Sequence, residues 1–397
     1  MGSWILGSGT AVVGSGNAMN RWVGYLAPGL PQLRRGKIPE GTAAVFTWVG
    51  MISLVLVRFD RIRGALTAGF DDQLALLTLI LVMAYVWWWS YRENGWSPGA
   101  GGVGGRFSVG AQGEGWASFR KNRTALMGLW IIGALYLAML LAPFLAPFEA
   151  GFREAYRAGG DMGTILSPPS SRYPMGTDVY SQDILSRILY GARISLTIGL
   201  VAVGISVPLG AVLGGIAGYC GGWVDGVIMR TVDMILAVPR LVLLMAIVAL
   251  FPSTIFVVIV ALAFTQWPYT ARMVRGEILS LKEREFAQAA RALGFTRRRI
   301  LFRHLLPNAA GPIIVVATLG IGNAIVLEAG LSFLGLGVQA GTPSWGSMVN
   351  EGRDHLIDAW WIATFPGLAI ALAVLAFNLV GDGLRDALDP RQRERGS

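Results

Sequence analysis

The sequence predicts an all-α, polytopic membrane protein, and three observations carry that prediction. Uncharged runs recur at 41–57, 73–91, 124–148, 194–224, 241–271, 305–327 and 359–381. Each approaches or exceeds the roughly 17–25 residues a helix needs to span a bilayer. The chain is 54% hydrophobic and only 14% charged, with a mean hydropathy of +0.55. A soluble core needs charged faces between its apolar stripes, and these runs have none. The net charge of +9 is also unevenly placed, with nine Arg or Lys against three Glu between Arg272 and Pro307. Positive charge gathered in one connecting loop marks it as cytoplasmic. That explains the basicity better than nucleic acid does.

The first two runs form an N-terminal extension, 1–93, with two candidate helices. The second helix ends in Trp87, Trp88, Trp89 and Tyr91, an interfacial aromatic belt. Arg58, Arg61 and Arg63 between the runs set this pair against the positive-inside pattern, so a re-entrant or interfacial placement is the alternative. Residues 94–117 form a linker, with nine glycines in the 21 positions of 95–115. The main body, 118–391, opens on the basic "FRKNR" at 119–123, followed by a span over 124–146. A polar, turn-rich stretch over 147–190 comes next, then a returning span near 194–218. "GYCGG" makes a glycine turn before a helix beginning near Asp225. The 241–271 run, interrupted by "FPST" at 251–254, reads as a hairpin of two spans. Spans at 309–330 and 360–381 and the basic tail, 392–397, complete six core helices. Both termini fall in the cytoplasm.

Several chemistries are excluded. Cys220 is the only cysteine, and His304 and His355 are the only histidines, so no thiolate or histidine metal site is expected. No GxxxxGK[ST] phosphate loop and no convergent Ser/His/Asp set occurs, so neither ATP hydrolysis nor other enzyme activity is expected of this chain, and no cofactor. The N-terminus lacks the charged-then-apolar pattern of a cleaved signal peptide.

The basic loop interrupts the apolar pattern with "EFAQAARALGFTRRRILFRHLLPNAAGP", 285–312. Phe286, Ala289, Ala290 and Leu293 fall at helical spacing and predict an apolar stripe. Gly294 stops the helix, and Thr296 caps a second one that ends before Pro307. Such a helix pair suits an amphipathic lipid anchor, a helix–turn–helix for DNA, or a docking knob for a cytoplasmic partner. Its tether between spans disfavours DNA.

Residue identity separates the remaining readings. The stretch resembles the coupling motif of ATP-binding cassette importer permeases: Glu-Ala-Ala, three residues, Gly, nine residues, Ile, one residue, Leu-Pro. Here Gln288-Ala289-Ala290 precedes Gly294, His304 takes the Ile position, and Leu306-Pro307 follows at the family distance. "AARALG" and "RHLLPN" are similar to the dipeptide, oligopeptide and nickel branch, C-type subunit. "MGTD" (175–178), "DILSRILYGARISL" (183–196), "GYCGGWVDGVIMRTVDMILAVP" (218–239), "LEAGLSFLGLG" (327–337), "PSWGSMV" (343–349) and "NLVGDGLRDALDPR" (378–391) continue the likeness in order. Where the family reads GTDxxGRD, this chain has Ser181 and Gln182 in place of the glycine and arginine.

The resemblance implies a six-helix importer permease core with cytoplasmic coupling helices. Its position would be a bacterial or archaeal cytoplasmic (inner) membrane. It also implies a second permease subunit, two cassette ATPases and an extracytoplasmic solute-binding protein as partners, with lipid around the spans. Phe286, Gln288, Ala289, Ala290, Gly294, His304, Leu306 and Pro307 would couple to an ATPase. Gln266, Asn323 and Glu328 are intramembrane polar residues that line a pathway or bond between helices. Arg240 reads as a snorkelling or inter-subunit cation. The rival reading is a stand-alone secondary transporter or channel built on Glu328, with the loop as a lipid anchor. Larger apolar residues than Ala289 and Ala290 would then be expected.

Overall fold

A computed structural model of the chain describes residues 119–149, 151, 153, 162–338 and 341–388, with isolated helical positions at 53, 55, 73 and 77–81. The chain divides into two compact units, Met1–Phe107 and Ser108–Ser397. Apart from those isolated positions, the expected N-terminal helices, the glycine-rich linker and the basic tail lie outside the described residues. The long helices of the described residues all belong to the second unit.

Among its described residues this unit is helical, with one isolated bridge between Thr177 and Asp183. The order is α1 (Arg123–Leu140), α2 (Ala142–Leu145), a 3-10 turn (Met162–Thr164), α3 (Ile184–Cys220), α4 (Gly222–Leu236), α5 (Arg240–Ala249) and α6 (Ile255–Leu281). Then come α7 (Glu285–Ala292), α8 (Arg297–Ile300), a π turn (Leu301–Leu305), α9 (Leu306–Asn308), α10 (Ala310–Phe333), α11 (Trp345–Gly352) and α12 (Trp361–Leu388). Five of these, α1, α3, α6, α10 and α12, are long and apolar enough to cross a membrane. A sixth crossing is available from α4 and α5 together, which meet at an 85° bend.

That bend corrects the expected hairpin over 241–271. At ten residues, α5 is too short to span alone. It continues α4 beyond a break at Pro239, which has no N–H and disfavours helical backbone at the residue before it. Counted as one broken span, α4 and α5 supply the third of up to six crossings.

Three of the spans begin on a side-chain cap. Asn122 caps α1 by accepting from the backbone N–H groups of Thr124 and Ala125, and Thr254 caps α6 through Val257 N–H. Asp183 caps α3 through Ser186 N–H at 2.8 Å, so the helix begins at Ile184, ten residues before the span expected at 194. At 37 residues, α3 is about 55 Å long, so it extends beyond a hydrocarbon core of about 30 Å.

The most extensive packing is between α3 and α6. Glycines every fourth residue make it possible. A Cβ on Gly210 would lie 2.6 Å from Trp267 O, one on Gly214 2.8 Å from Ala271 Cα, and one on Gly218 2.8 Å from Arg275 O. Lipid offers no hydrophobic drive between helices, so this close backbone approach is what holds the pair. On the other flank α10 packs on α12, α12 on α1, and α10 on α3.

Candidate functional site

The basic loop folds into a small domain at the end of the bundle where α3 finishes and α6 leaves. Its helix α7 ends in a Schellman turn. Gly294 adopts φ +78°, Phe295 N–H donates to Ala290 O at 3.2 Å and Gly294 N–H to Arg291 O at 2.9 Å. Thr296 then caps α8 by accepting from Arg299 N–H at 3.4 Å.

The faces of α7 differ from the stripe expected from spacing. Ala287 and Ala290 are buried; Phe286, Gln288, Ala289 and Leu293 are exposed, Leu293 by 73%. The inward methyls pack with Ile300, Leu301 and Leu305 onto Ala211, Val274, Ile278 and Leu281 of α3 and α6. Only small side chains fit between the helix and this tight core, so the larger apolar residues of α7 turn outward.

The helix expected to stop before Pro307 does not stop. A π turn over Leu301–Leu305, in which Leu306 N–H donates to Leu301 O, carries the chain through Pro307 into α10. The wider turn passes a proline that offers no donor. Leu306 packs toward α3, where a Cβ on Gly215 would lie 3.2 Å from its Cδ2. His304 stacks on the Phe295 ring with centroids 5.7 Å apart, and Arg299 lies 4.1 Å from that ring's centroid. The His304 Nε2 is buried without a hydrogen-bond partner among the described residues. Gln288 turns back to donate to Glu283 O at 2.9 Å, and Asn308 donates to His304 O at 2.6 Å.

The base of the loop is tied to the half-helix α4. Asp225 accepts from Arg275 Nε and Nη2 at 2.5 and 2.6 Å, and Asp233 from Arg272 Nη2 at 2.5 Å. Lys282 Nζ donates to Gly218 O at 3.3 Å. Movement of the loop therefore reaches α3, α4, α6 and α10 through direct contacts.

The polar residues within the spans occupy three different places. Glu328 is fully buried and accepts from Ser332 Oγ at 2.8 Å and Ser195 Oγ at 3.1 Å. Ser195 in turn accepts from Trp345 N–H at 3.2 Å, so the carboxylate joins α3, α10 and α11 as an interhelical bond. Gln266 is buried and accepts from Arg240 Nη2 at 2.7 Å. Arg240 therefore does not reach for the membrane surface. Asn323 is exposed on α10.

At the end of the bundle opposite the basic loop, the divergent 176–183 turn is closely built. Asp178 Oδ1 accepts from the backbone N–H groups of Tyr180 and Gln182, both at 2.8 Å, and Oδ2 pairs with Arg187, which also pairs with Glu351 of α11. Thr177 Oγ1 donates to Thr164 O at 2.5 Å. A Cβ on Gly176, at φ +79°, would meet Trp361 Nε1 at 2.6 Å. Ser181, where the family pattern has glycine, sits at φ +60° and holds Thr164 Oγ1 at 2.5 Å through its hydroxyl. Burial pushes the Asp183 carboxyl above the usual carboxylate range, against the pull of its bonds to Ser186. Tyr180, Gln182, Asp183, Arg187 and Glu351 border a cleft of about 510 Å³. Sequence reasoning missed the Arg187–Asp178–Glu351 cluster, whose available signal was charge persisting in the first turns of an otherwise apolar helix.

Two family models match the chain. Residues 210–394 match the binding-protein-dependent transport system inner membrane component, and residues 113–169 match the N-terminal TM domain of oligopeptide transport permease C. The dipeptide transport system permease protein DppC of Alkalihalophilus pseudofirmus is 43% identical over 280 residues, 70% of this chain and 90% of that protein. The glutathione transport system permease protein GsiD of Pectobacterium atrosepticum is 48% identical over 223 residues, 56% of this chain and 74% of that protein. The di/tripeptide transport system permease protein DppC of Pseudomonas aeruginosa is 42% identical over 284 residues, 70% of this chain and 91% of that protein. Together with the long apolar helices, these matches show a multi-pass permease subunit and not an enzyme. The chain belongs to the binding-protein-dependent permeases of ATP-binding cassette importers, in the C-type subunit of the dipeptide, oligopeptide and nickel branch.

Proposed function

We propose that this chain forms half of the translocation pathway of an importer for short peptides or similar small solutes. In this reading it couples to a cytoplasmic ATPase through α7 and the turn that follows, residues 286–307. A sister permease supplies the other half, two ATPases bind below, and a solute-binding protein delivers cargo to the opposite end. The basic loop and the basic C-terminal tail lie on the cytoplasmic side, in agreement with the positive-inside pattern. Peptide cargo is inferred from the names of the relatives.

The observation that carries the reading is the two-sided character of α7. Ala287 and Ala290 are locked into the core of α3 and α6, while Phe286, Ala289 and Leu293 present an apolar face that the described residues leave uncovered. A groove on a partner ATPase covers it in the assembled importer. Closure of the ATPases on ATP then moves α7, and the ion pairs to α4 and the continuous path into α10 turn that motion into tilting of the spans. Lipid is a poor occupant, because an eight-residue helix whose outward face offers only Phe286, Ala289 and Leu293 has little apolar area to bury in a membrane.

Leu293→Asp tests this directly. The variant should insert normally and keep its sister permease, yet co-purify with less than about a tenth of the wild-type ATPase. That tenfold loss corresponds to about 1.4 kcal/mol of interface energy. Full ATPase recovery together with undiminished uptake would sink the assignment.

A further inference from the structure

Arg240 is a cation in the interior of the bundle for which the described residues provide no anion. It opens α5 immediately after the break at Pro239. Its Nη2 donates to Gln266 Oε1 at 2.7 Å and its Nε to Thr265 Oγ1 at 3.4 Å, while the guanidinium lies 5.9 Å from the Tyr269 ring centroid. All these partners are neutral. Among the described residues no carboxylate pairs with it, whereas Arg187, Arg272 and Arg275 each have one.

Its depth follows from two independent helices. Gln266 lies near the middle of the 27-residue α6, about 16 Å along from the start of that helix. Gly320, near the middle of α10, approaches Gln266 Nε2 so closely that any Cβ there would collide with it. The glycine thereby leaves room for the amide, whose oxygen in turn holds Arg240. A charged side chain at this depth is costly and persists where it has an ionic partner or a function. The side chain is partly exposed, Tyr269 beside it is half exposed, and the Nη1 end makes neither of the two hydrogen bonds.

We infer that Arg240 receives the free carboxylate of the transported solute at the middle of the bundle, an inference that rests on the peptide-importer reading. A guanidinium pre-positioned by neutral partners keeps its charge available, and its planar donors match a carboxylate. The break between α4 and α5 supplies the irregular backbone that membrane proteins tolerate where it lines a cavity. It also places the positive end of the α5 dipole at the same point. A carboxylate from the sister permease has the same chemistry and is the competing source.

The test uses the complete importer in proteoliposomes with its binding protein, and compares uptake of dialanine with uptake of dialanine amide. In Arg240→Gln, dialanine uptake should fall at least tenfold toward the level of the amide, while amide uptake changes less than twofold. Arg240→Lys should retain an intermediate preference, because charge remains without the planar fork. Equal fractional loss for both probes, or loss of the sister permease on purification, would assign the arginine to a subunit contact and overturn the inference. An unchanged acid-to-amide ratio would also overturn it. A wild-type complex that moves neither probe removes the peptide reading, and this inference with it.

Discussion

The Arg187 guanidinium donates to both oxygens of the Glu351 carboxylate, at 2.9 Å through Nη2 and also through Nη1, which it shares with Asp178. One side chain in the first turn of α3 thus ties the 176–183 turn to α11. Asp178 is fully buried and Glu351 is about a quarter exposed, so the two acids do not contribute alike. Arg187→Met should cost about 3–5 kcal/mol, because it strands a buried carboxylate. Glu351→Gln keeps an acceptor and some access to water, and should cost about 1 kcal/mol. Thermal unfolding of the solubilised protein checks the pair, and equal losses would refute this ranking.

Ser181 offers a second test in the same turn. A non-glycine residue at positive φ costs about 1–2 kcal/mol, and the hydroxyl bond to Thr164 returns about 1 kcal/mol. Ser181→Gly should therefore change stability by less than about 1 kcal/mol. Ser181→Val, which combines β-branching with loss of the bond, should cost more than about 2 kcal/mol. The same unfolding assay decides, and an undisturbed Ser181→Val protein would contradict the backbone geometry.

Asp183 gives a pH dependence of definite sign. Its carboxyl is raised chiefly by burial, with the nearby Asp178 charge adding to the effect. A group whose folded value is raised contributes stability below its unfolded value of about 3.9, and that contribution is lost as pH rises through the folded value. Asp183→Asn keeps a capping oxygen and removes the titration. The melting temperature of wild type relative to Asp183→Asn should therefore climb as pH is lowered through the folded value toward the unfolded value of about 3.9. A difference that falls on acidification would show that the carboxylate is stabilised in its charged form.

The glycine stripe of α3 predicts a steep positional contrast. Gly214→Ala would drive a methyl into the Ala271 backbone, forcing α3 and α6 apart at a cost of about 1–3 kcal/mol. Gly204 has open space around it, so Gly204→Ala should be neutral or stabilise by up to about 1 kcal/mol. Comparable melting temperatures for the two variants would mean that the close approach is not what holds this pair.

Much of this architecture was legible because the bilayer imposes a length and a composition that apolar runs reveal directly. The start of α8 was legible for the same kind of local reason, since Gly294 and Thr296 act within a few residues of themselves. The hairpin over 241–271 misled because hydropathy carries no bend angle. Pro239 marks a break, but only packing decides that α5 continues α4. The face of α7 misled because hydrophobicity ranks phenylalanine and leucine above alanine, whereas a tight interface admits only methyls. Arg187 and Glu351 are 164 residues apart, and no periodicity joins them.

Ala289 and Ala290 turn the contrast between the two faces of α7 into a decisive pair. Ala290 lies 5% exposed within the core that holds α7 to α3 and α6, while Ala289 faces outward. Aspartate at 290 would bury a charge without a partner, so Ala290→Asp should release α7 from the bundle and lower the melting temperature, losing transport as a consequence. Aspartate at 289 meets only water in the isolated chain. Ala289→Asp should melt within about a degree of wild type, yet fail to retain the ATPase and fail to transport. Limited proteolysis across 285–296, set beside ATPase co-purification, separates the two defects: Ala290→Asp should become cleavable, and Ala289→Asp should stay protected. If Ala289→Asp instead retains the ATPase and transports normally, the outward face of α7 is not the coupling surface.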